Sequence, residues 1–151
     1  LPEAEIPRER VQDPMHARSG GVGPGRDGCR VPLPWDGAPA RSWLPVPPGW
    51  SAYAAEGQAR DPGSMLTLYR TALRLRRSFG DAGPLRRLRA DEPHVLSFAR
   101  ASERDGATWI CLVNFGPEDV ALPAGAELLL ASGPLSARGR LPRDTAVWLR
   151  A

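Results

Sequence analysis

At 151 residues the chain has room for one domain, or for one small domain with a piece of another. All 20 basic residues are arginine, against 17 acidic ones, for a net charge of +3; with 17 Pro, 16 Gly and a single Asn this is the composition of a GC-rich coding sequence, and it argues against nucleic acid as a partner. No window is long and apolar enough to span a membrane, and nothing at the start resembles a signal peptide, so no membrane partner is expected.

Residues 1 to about 58 are rich in Pro, Gly, Arg and Trp and show little periodicity. Trp35, Trp43, Trp50 and Tyr53 are costly to leave in water, which disfavours disorder. The stretch reads as an ordered, irregular loop packed on a larger scaffold outside this chain. Opening on Leu1-Pro2-Glu3, it reads as processed or cut from something longer.

Residues 61–79 predict a helix. Asp61 suits the N-cap and Pro62 the first helical position. Met65, Leu68, Tyr69, Ala72, Leu75 and Phe79 recur at three- and four-residue steps as one apolar stripe, which Leu66 and Leu73 widen. Arg70, Arg74, Arg76 and Arg77 read as a solvated face, with positive charge favoured in the last turn. Gly80 is the stop.

Residues 85–151 change to short β segments: 94–99, 108–115, 118–122, 126–131 and 145–149. Asp105-Gly106 marks a hairpin turn between the first two. Such spacing predicts an antiparallel sandwich.

Two cysteines stand far apart and outside any CxxC pair, so neither zinc nor disulfide-exchange chemistry is expected, and no metal or cofactor site is read. Cys111 reads as a core thiol and Cys29 as a small buried residue, with His16 and His94 too remote in sequence to activate it. Reduced cysteines point to the cytoplasm.

No nucleophile elbow, P-loop or HExxH motif is present. Glycoside hydrolysis needs two carboxylates at a set separation. Asp13, Asp27 and Asp36 are available, but Asp13-Pro14 and Asp36-Gly37 read as turns. Asp27, between Arg26 and Arg30, reads as the middle of an ion-pair network. The run Gly25 to Trp35 is the most distinctive segment. Its two arginines offer planar, bidentate donors suited to sugar hydroxyls or to a carboxylate that holds a sugar. Trp35 reads equally as a stacking surface or as a wall.

Arg26-Asp27-Gly28-Cys29-Arg30-Val31-Pro32-Leu33-Pro34-Trp35 resembles the RDxxRxPMxW signature of the α-glucosidase, oligo-1,6-glucosidase and trehalose-synthase-like branch of glycoside hydrolase family 13, the α-amylase superfamily. Further pieces resemble that family in order: Gln12-Asp13-Pro14, Trp43-Leu44-Pro45, the run from Gln58 to Arg70, Leu73 to Arg77, and Val113-Asn114-Phe115. The resemblance implies a mixed fold: the last loop and helix of a (β/α)8 barrel over 1–82, then an antiparallel β-sandwich C-terminal domain over 83–151. It implies that the chain is the C-terminal part of a retaining α-glucosidase that cleaves terminal α-glucosidic bonds.

The partners implied are an α-linked gluco-oligosaccharide and the rest of the barrel. The family's Asp nucleophile, Glu acid/base and second Asp match no position here, so no catalytic residue is carried over and the chain alone is expected to be inactive. Arg26 matches the arginine that binds the non-reducing-end glucose. Arg30 is the second choice, with bracing of the loop through Asp27 as its other role. Leu33-Pro34 departs from the usual Met-Gln, on the leaving-group side. An isomerase or glucosyl-transfer member of the family, and a non-catalytic carbohydrate-binding or interaction module, are the alternative readings.

Overall fold

Proline removes a backbone donor, and the Pro-rich first part of the chain forms no strand among the described residues. The fold is that of a computed structural model, which describes residues 1–23, 25–36, 42–80 and 82–151. It divides into two units, Leu1–Thr67 and Leu68–Ala151.

The first unit holds two short helices, α1 (Pro14–Arg18) and α2 (Ala55–Arg60), and short 3-10 segments at Arg8–Arg10, Asp27–Cys29 and Pro48–Tyr53. Its core is small: Ala4, Val31, Leu44 and Trp50, with Ile6 and Val46 against it. Long-range backbone bonds replace a sheet. The Ala4 amide donates to the Gly28 carbonyl, and the first amides of α2, Ala55 and Glu56, donate to Pro34 and Trp35. The four aromatic residues of this unit differ in how far this chain itself covers them. Trp50 is buried, whereas Trp35 is 73% exposed and Trp43 and Tyr53 are exposed too. A core of this size takes one indole, and the bonds from α2 hold the backbone of Trp35 without covering its ring.

Helix α3 (Met65–Ser78) starts later than the Asp61 cap predicts. Asp61 Oδ1 accepts from the Gly63 amide at 2.8 Å, closing a turn, while Ser64 Oγ accepts from the Thr67 amide at 3.1 Å and is the actual cap. Gln58 supports that start, since its carbonyl accepts from the Ser64 and Thr67 hydroxyls. Gly80, at φ +61°, ends the helix in the left-handed region as expected. Met65, Tyr69 and Leu73 on the apolar stripe are exposed, and so are Arg70, Arg74, Arg76 and Arg77.

The second unit carries one antiparallel sheet in the order β1-β2-β3-β5-β4: β1 (Arg86–Leu88), β2 (Val95–Ala101), β3 (Thr108–Asn114), β4 (Glu127–Ala131) and β5 (Thr145–Arg150). Alternation sends Val95, Ser97 and Ala99, Ile110, Leu112 and Asn114, and Thr145, Val147 and Leu149 to the buried face. Register aligns them, with Ser97 opposite Leu112 and Leu112 opposite Val147. Asp105-Gly106 makes the predicted turn, with Gly106 at φ +69°.

The antiparallel β domain is therefore present, but its second layer is not a second sheet of strands. Val120, Leu122, Leu135 and Leu141, carried by connections, cover the buried face. The segment predicted as a strand at 118–122 contributes only the bridge Val120–Leu141. Pro117 and Pro123 flank it and remove donors that a longer ladder would need. Strand β1, absent from the sequence reading, is a three-residue edge with two exposed arginines, too short and too charged to show alternation.

On the opposite face, Phe98, Cys111 and Trp148 line up across β2, β3 and β5, and Arg100, Trp109 and Arg150 form the next row. Phe79 stacks on Trp109 with ring centroids 3.9 Å apart and lies 5.5 Å from Trp148. Arg150 sits over Trp109 at 5.9 Å. Arg100 donates to the carbonyls of Ala82 and Gly83, which holds the chain after Gly80 against β2. No helix among the described residues is long and apolar enough to cross a membrane.

Candidate functional site

The distinctive loop is built by two buried carboxylates. Asp27 opens the 3-10 turn Asp27–Cys29, and its Oδ2 accepts from the amides of Gln12 at 2.7 Å and Asp13 at 2.8 Å. Asp13 caps α1, accepting from the Met15 amide at 2.8 Å. Its other oxygen, Oδ2, accepts from the Arg26 amide at 3.0 Å and pairs with Arg26 Nε at 3.0 Å and Arg30 Nη1 at 3.0 Å. Arg30 Nη1 also lies 3.6 Å from Asp27 Oδ1.

The predicted ion-pair network exists, but its centre is corrected from Asp27 to Asp13. Asp27 spends one oxygen on backbone amides and meets only Arg30, at longer range. Asp13, read as a turn residue, is at once the helix cap and the shared partner of both arginines. Both carboxylates are almost wholly buried, at 2% and 1% exposure, while the Arg26 and Arg30 side chains are 67% and 41% exposed. The structure thus brings Arg26 and Arg30 together on one oxygen.

Electrostatics follows the geometry. The Asp13 carboxyl is lowered from 3.8 to about 2, first by the Met15 amide, against the opposing effect of burial, and then by the Arg26 side chain and amide. It is an anion at any physiological pH and has no proton to give as an acid.

Two glycines make the packing possible. At Gly28 a Cβ would lie 2.2 Å from the Ala4 carbonyl oxygen. At Gly25, φ is +72° and a Cβ would come within 2.8 Å of the Asp13 Cβ. Neither requirement is visible in periodicity or composition.

Cys29, expected to be buried, is exposed instead, because the turn that buries Asp27 and Gly28 directs the next residue outward. Cys111 is half-buried, and burial pushes its thiol up. Both thiols are free. His16 contacts the Gly23 carbonyl through Nδ1 at 2.5 Å. The turn read at Asp36-Gly37 lies partly outside the described residues. Among the described residues no group of three or more His, Cys, Asp or Glu side chains is placed to hold a metal.

Residues 63–148 match the family described as Domain of unknown function (DUF3459). The chain is 37% identical over 84 residues to a probable alpha-glucosidase of Rhizobium meliloti, a match covering 52% of this chain and 15% of that protein. It is 30% identical over 118 residues to an alpha-glucosidase of Schizosaccharomyces pombe, covering 71% of this chain and 19% of that one. The chain therefore spans less than a quarter of either relative. In fold it is similar to the crystal structure of trehalose-6-phosphate hydrolase from Bacillus licheniformis, with TM-score 0.66 and 17% identity over 100% of this chain and 34% of that one. The matched stretch, running from Gly63, just before α3, to Trp148 in β5, places the chain in the DUF3459 family, the C-terminal domain of α-amylase-family proteins.

Proposed function

We propose that this chain is the C-terminal part of a retaining α-glucosidase, and that Arg26 contacts the non-reducing-end glucose of an α-linked oligosaccharide. Residues 1–82 are read as the end of the catalytic barrel and 83–151 as its β domain. The observation that carries the reading is the pair of exposed guanidiniums held on one buried carboxylate oxygen. Loops after barrel strands build such active sites, and planar guanidinium donors suit sugar hydroxyls. The alpha-glucosidase relatives supply the substrate class. Arg26 is preferred because it is the more exposed and its ion pair uses Nε, leaving the terminal fork at the outer end of the side chain. Arg30, whose Nη1 pairs with Asp13 at 3.0 Å and with Asp27 at 3.6 Å, suits the brace. Chemistry falls to carboxylates in the rest of the barrel, and two free thiols suit a cytoplasmic setting.

The test is Arg26→Ala in the complete enzyme, assayed on maltose with product analysis on sucrose and trehalose. Losing a charged hydrogen bond predicts a fall in kcat/KM of about 10- to 100-fold. A value within threefold of the parent reassigns Arg26 to scaffolding. The 151-residue chain alone is expected to turn over no p-nitrophenyl α-glucoside. Net isomer formation from sucrose, with little free glucose, identifies the isomerase chemistry instead.

A further inference from the structure

We infer that Asp13 is the positioning residue for substrate binding: it aims Arg26 at the sugar without touching the sugar itself. This rests on the proposed contact between Arg26 and the glucose. The Asp13 side chain has no exposed surface, so no ligand reaches it. Its Oδ2 nevertheless takes both the amide and the Nε of Arg26, each at 3.0 Å. Binding the backbone and the side chain of one residue to one oxygen fixes the first bonds of a long, flexible chain whose far end is in solvent. Arginine otherwise loses much rotamer freedom on meeting a ligand, and prior fixing removes that cost from binding.

The same oxygen draws in Arg30 Nη1 at 3.0 Å, so two like charges lie side by side with one anion between them. Without the carboxylate they repel, and Arg26 swings outward. Asp13 is itself immobile. Its amide is bound by Asp27 Oδ2 at 2.8 Å and its Oδ1 by the Met15 amide at 2.8 Å, so the start of α1 sets where the carboxylate stands. The cap needs only Oδ1, and the Oδ2 bond to the Arg26 amide braces the loop; the Oδ2 bond to Arg26 Nε is the one that the positioning role uses.

The experiment compares Asp13→Ser, Arg26→Ala and the double variant in the complete enzyme. Serine keeps an acceptor for the Met15 amide and drops the carboxylate; Asp13→Asn is the second variant, should serine fail to fold. The readouts are KM and kcat on maltose and the inhibition constant of free glucose, which a merely structural role would not move. Each single variant is expected to raise KM and the glucose constant by about tenfold, with kcat less affected. In the double variant the Asp13 change adds less than about threefold, because its partner is already gone.

An Asp13 variant with an unchanged glucose constant, beside an Arg26→Ala that raises it, overturns the positioning role and leaves the Arg26 contact standing. A full Asp13 loss repeated on the Arg26→Ala background also overturns it. A neutral Arg26→Ala overturns both readings.

Discussion

Asp13 and Asp27 brace each other's segments: Asp27 Oδ2 accepts from the Asp13 amide at 2.8 Å, while Asp13 Oδ2 accepts from the amide of Arg26, the residue before Asp27, at 3.0 Å. Each carboxylate satisfies backbone donors that burial would otherwise orphan. Two stretches 13 and 14 residues apart are locked without a strand or a long helix. Charge is then left over on Asp13 for two arginines, which makes a structural brace the base of a candidate sugar contact.

Acid is expected to undo the brace. A carboxyl whose folded value is depressed, here from 3.8 to about 2, contributes stability that is complete above the unfolded value and disappears as pH falls through the folded one. The first unit should therefore lose stability as pH drops from 3.8 towards about 2, and Asp13→Asn should flatten that limb. Urea unfolding at a series of acid pH values, followed by the emission of a parent and variant that keep Trp50 as their one tryptophan, checks it; parallel limbs in parent and variant contradict the assignment.

Gly28→Ala should be severe, because the new Cβ would stand 2.2 Å from the Ala4 carbonyl oxygen, a backbone atom that cannot step aside. At Gly57, inside α2, a Cβ meets nothing within 4 Å, so Gly57→Ala is expected to stabilise by about 0.5–1 kcal/mol through helix propensity. Melting temperatures of the two variants should move in opposite directions.

Asn114 anchors the connections over the sheet. Its Nδ2 donates to the carbonyls of Glu118 at 2.8 Å and Leu141 at 3.1 Å, and its Oδ1 accepts from Gly116 at 2.9 Å. Asn114→Asp sets a carboxylate oxygen against two carbonyls in a buried place, and a loss of about 3 kcal/mol or more is expected. Denaturant unfolding of the second unit's transition measures it; a loss below about 1 kcal/mol would mean that water replaces the amide.

Phe79→Ala should free the chain after α3 from the sheet, since Phe79 provides the ring stacked 3.9 Å from Trp109. Partial burial sets the cost at about 2 kcal/mol, below the range for a fully buried Phe. Near-ultraviolet circular dichroism reports the loss of fixed Trp109 and Trp148 environments, and an unchanged spectrum would place their order in the sheet alone.

Where local chemistry decides, the reading from residues held. The helix stop at Gly80, the hairpin turn at Gly106, the solvated arginine face and the alternation along β2, β3 and β5 all depend on neighbours within a few residues. The collinear motifs identified the family for the same reason, since Gln58, Ser64 and Thr67 build one helix start and Asn114 ties one loop. Tertiary structure decided the rest. No local rule distinguishes Asp61 from Ser64 as the cap when each accepts an amide, nor sees a three-residue edge strand that exists only because β2 pairs with it.

The site divides the same way. Residue types marked Arg26 and Arg30 as ligand-like donors, because guanidinium chemistry belongs to the side chain. Which carboxylate they share was set by the approach of Asp13 across 13 residues. That approach depends on Gly28 lying against Ala4 and on Asp27 holding the amides before Pro14, contacts that exist only once the loop has closed.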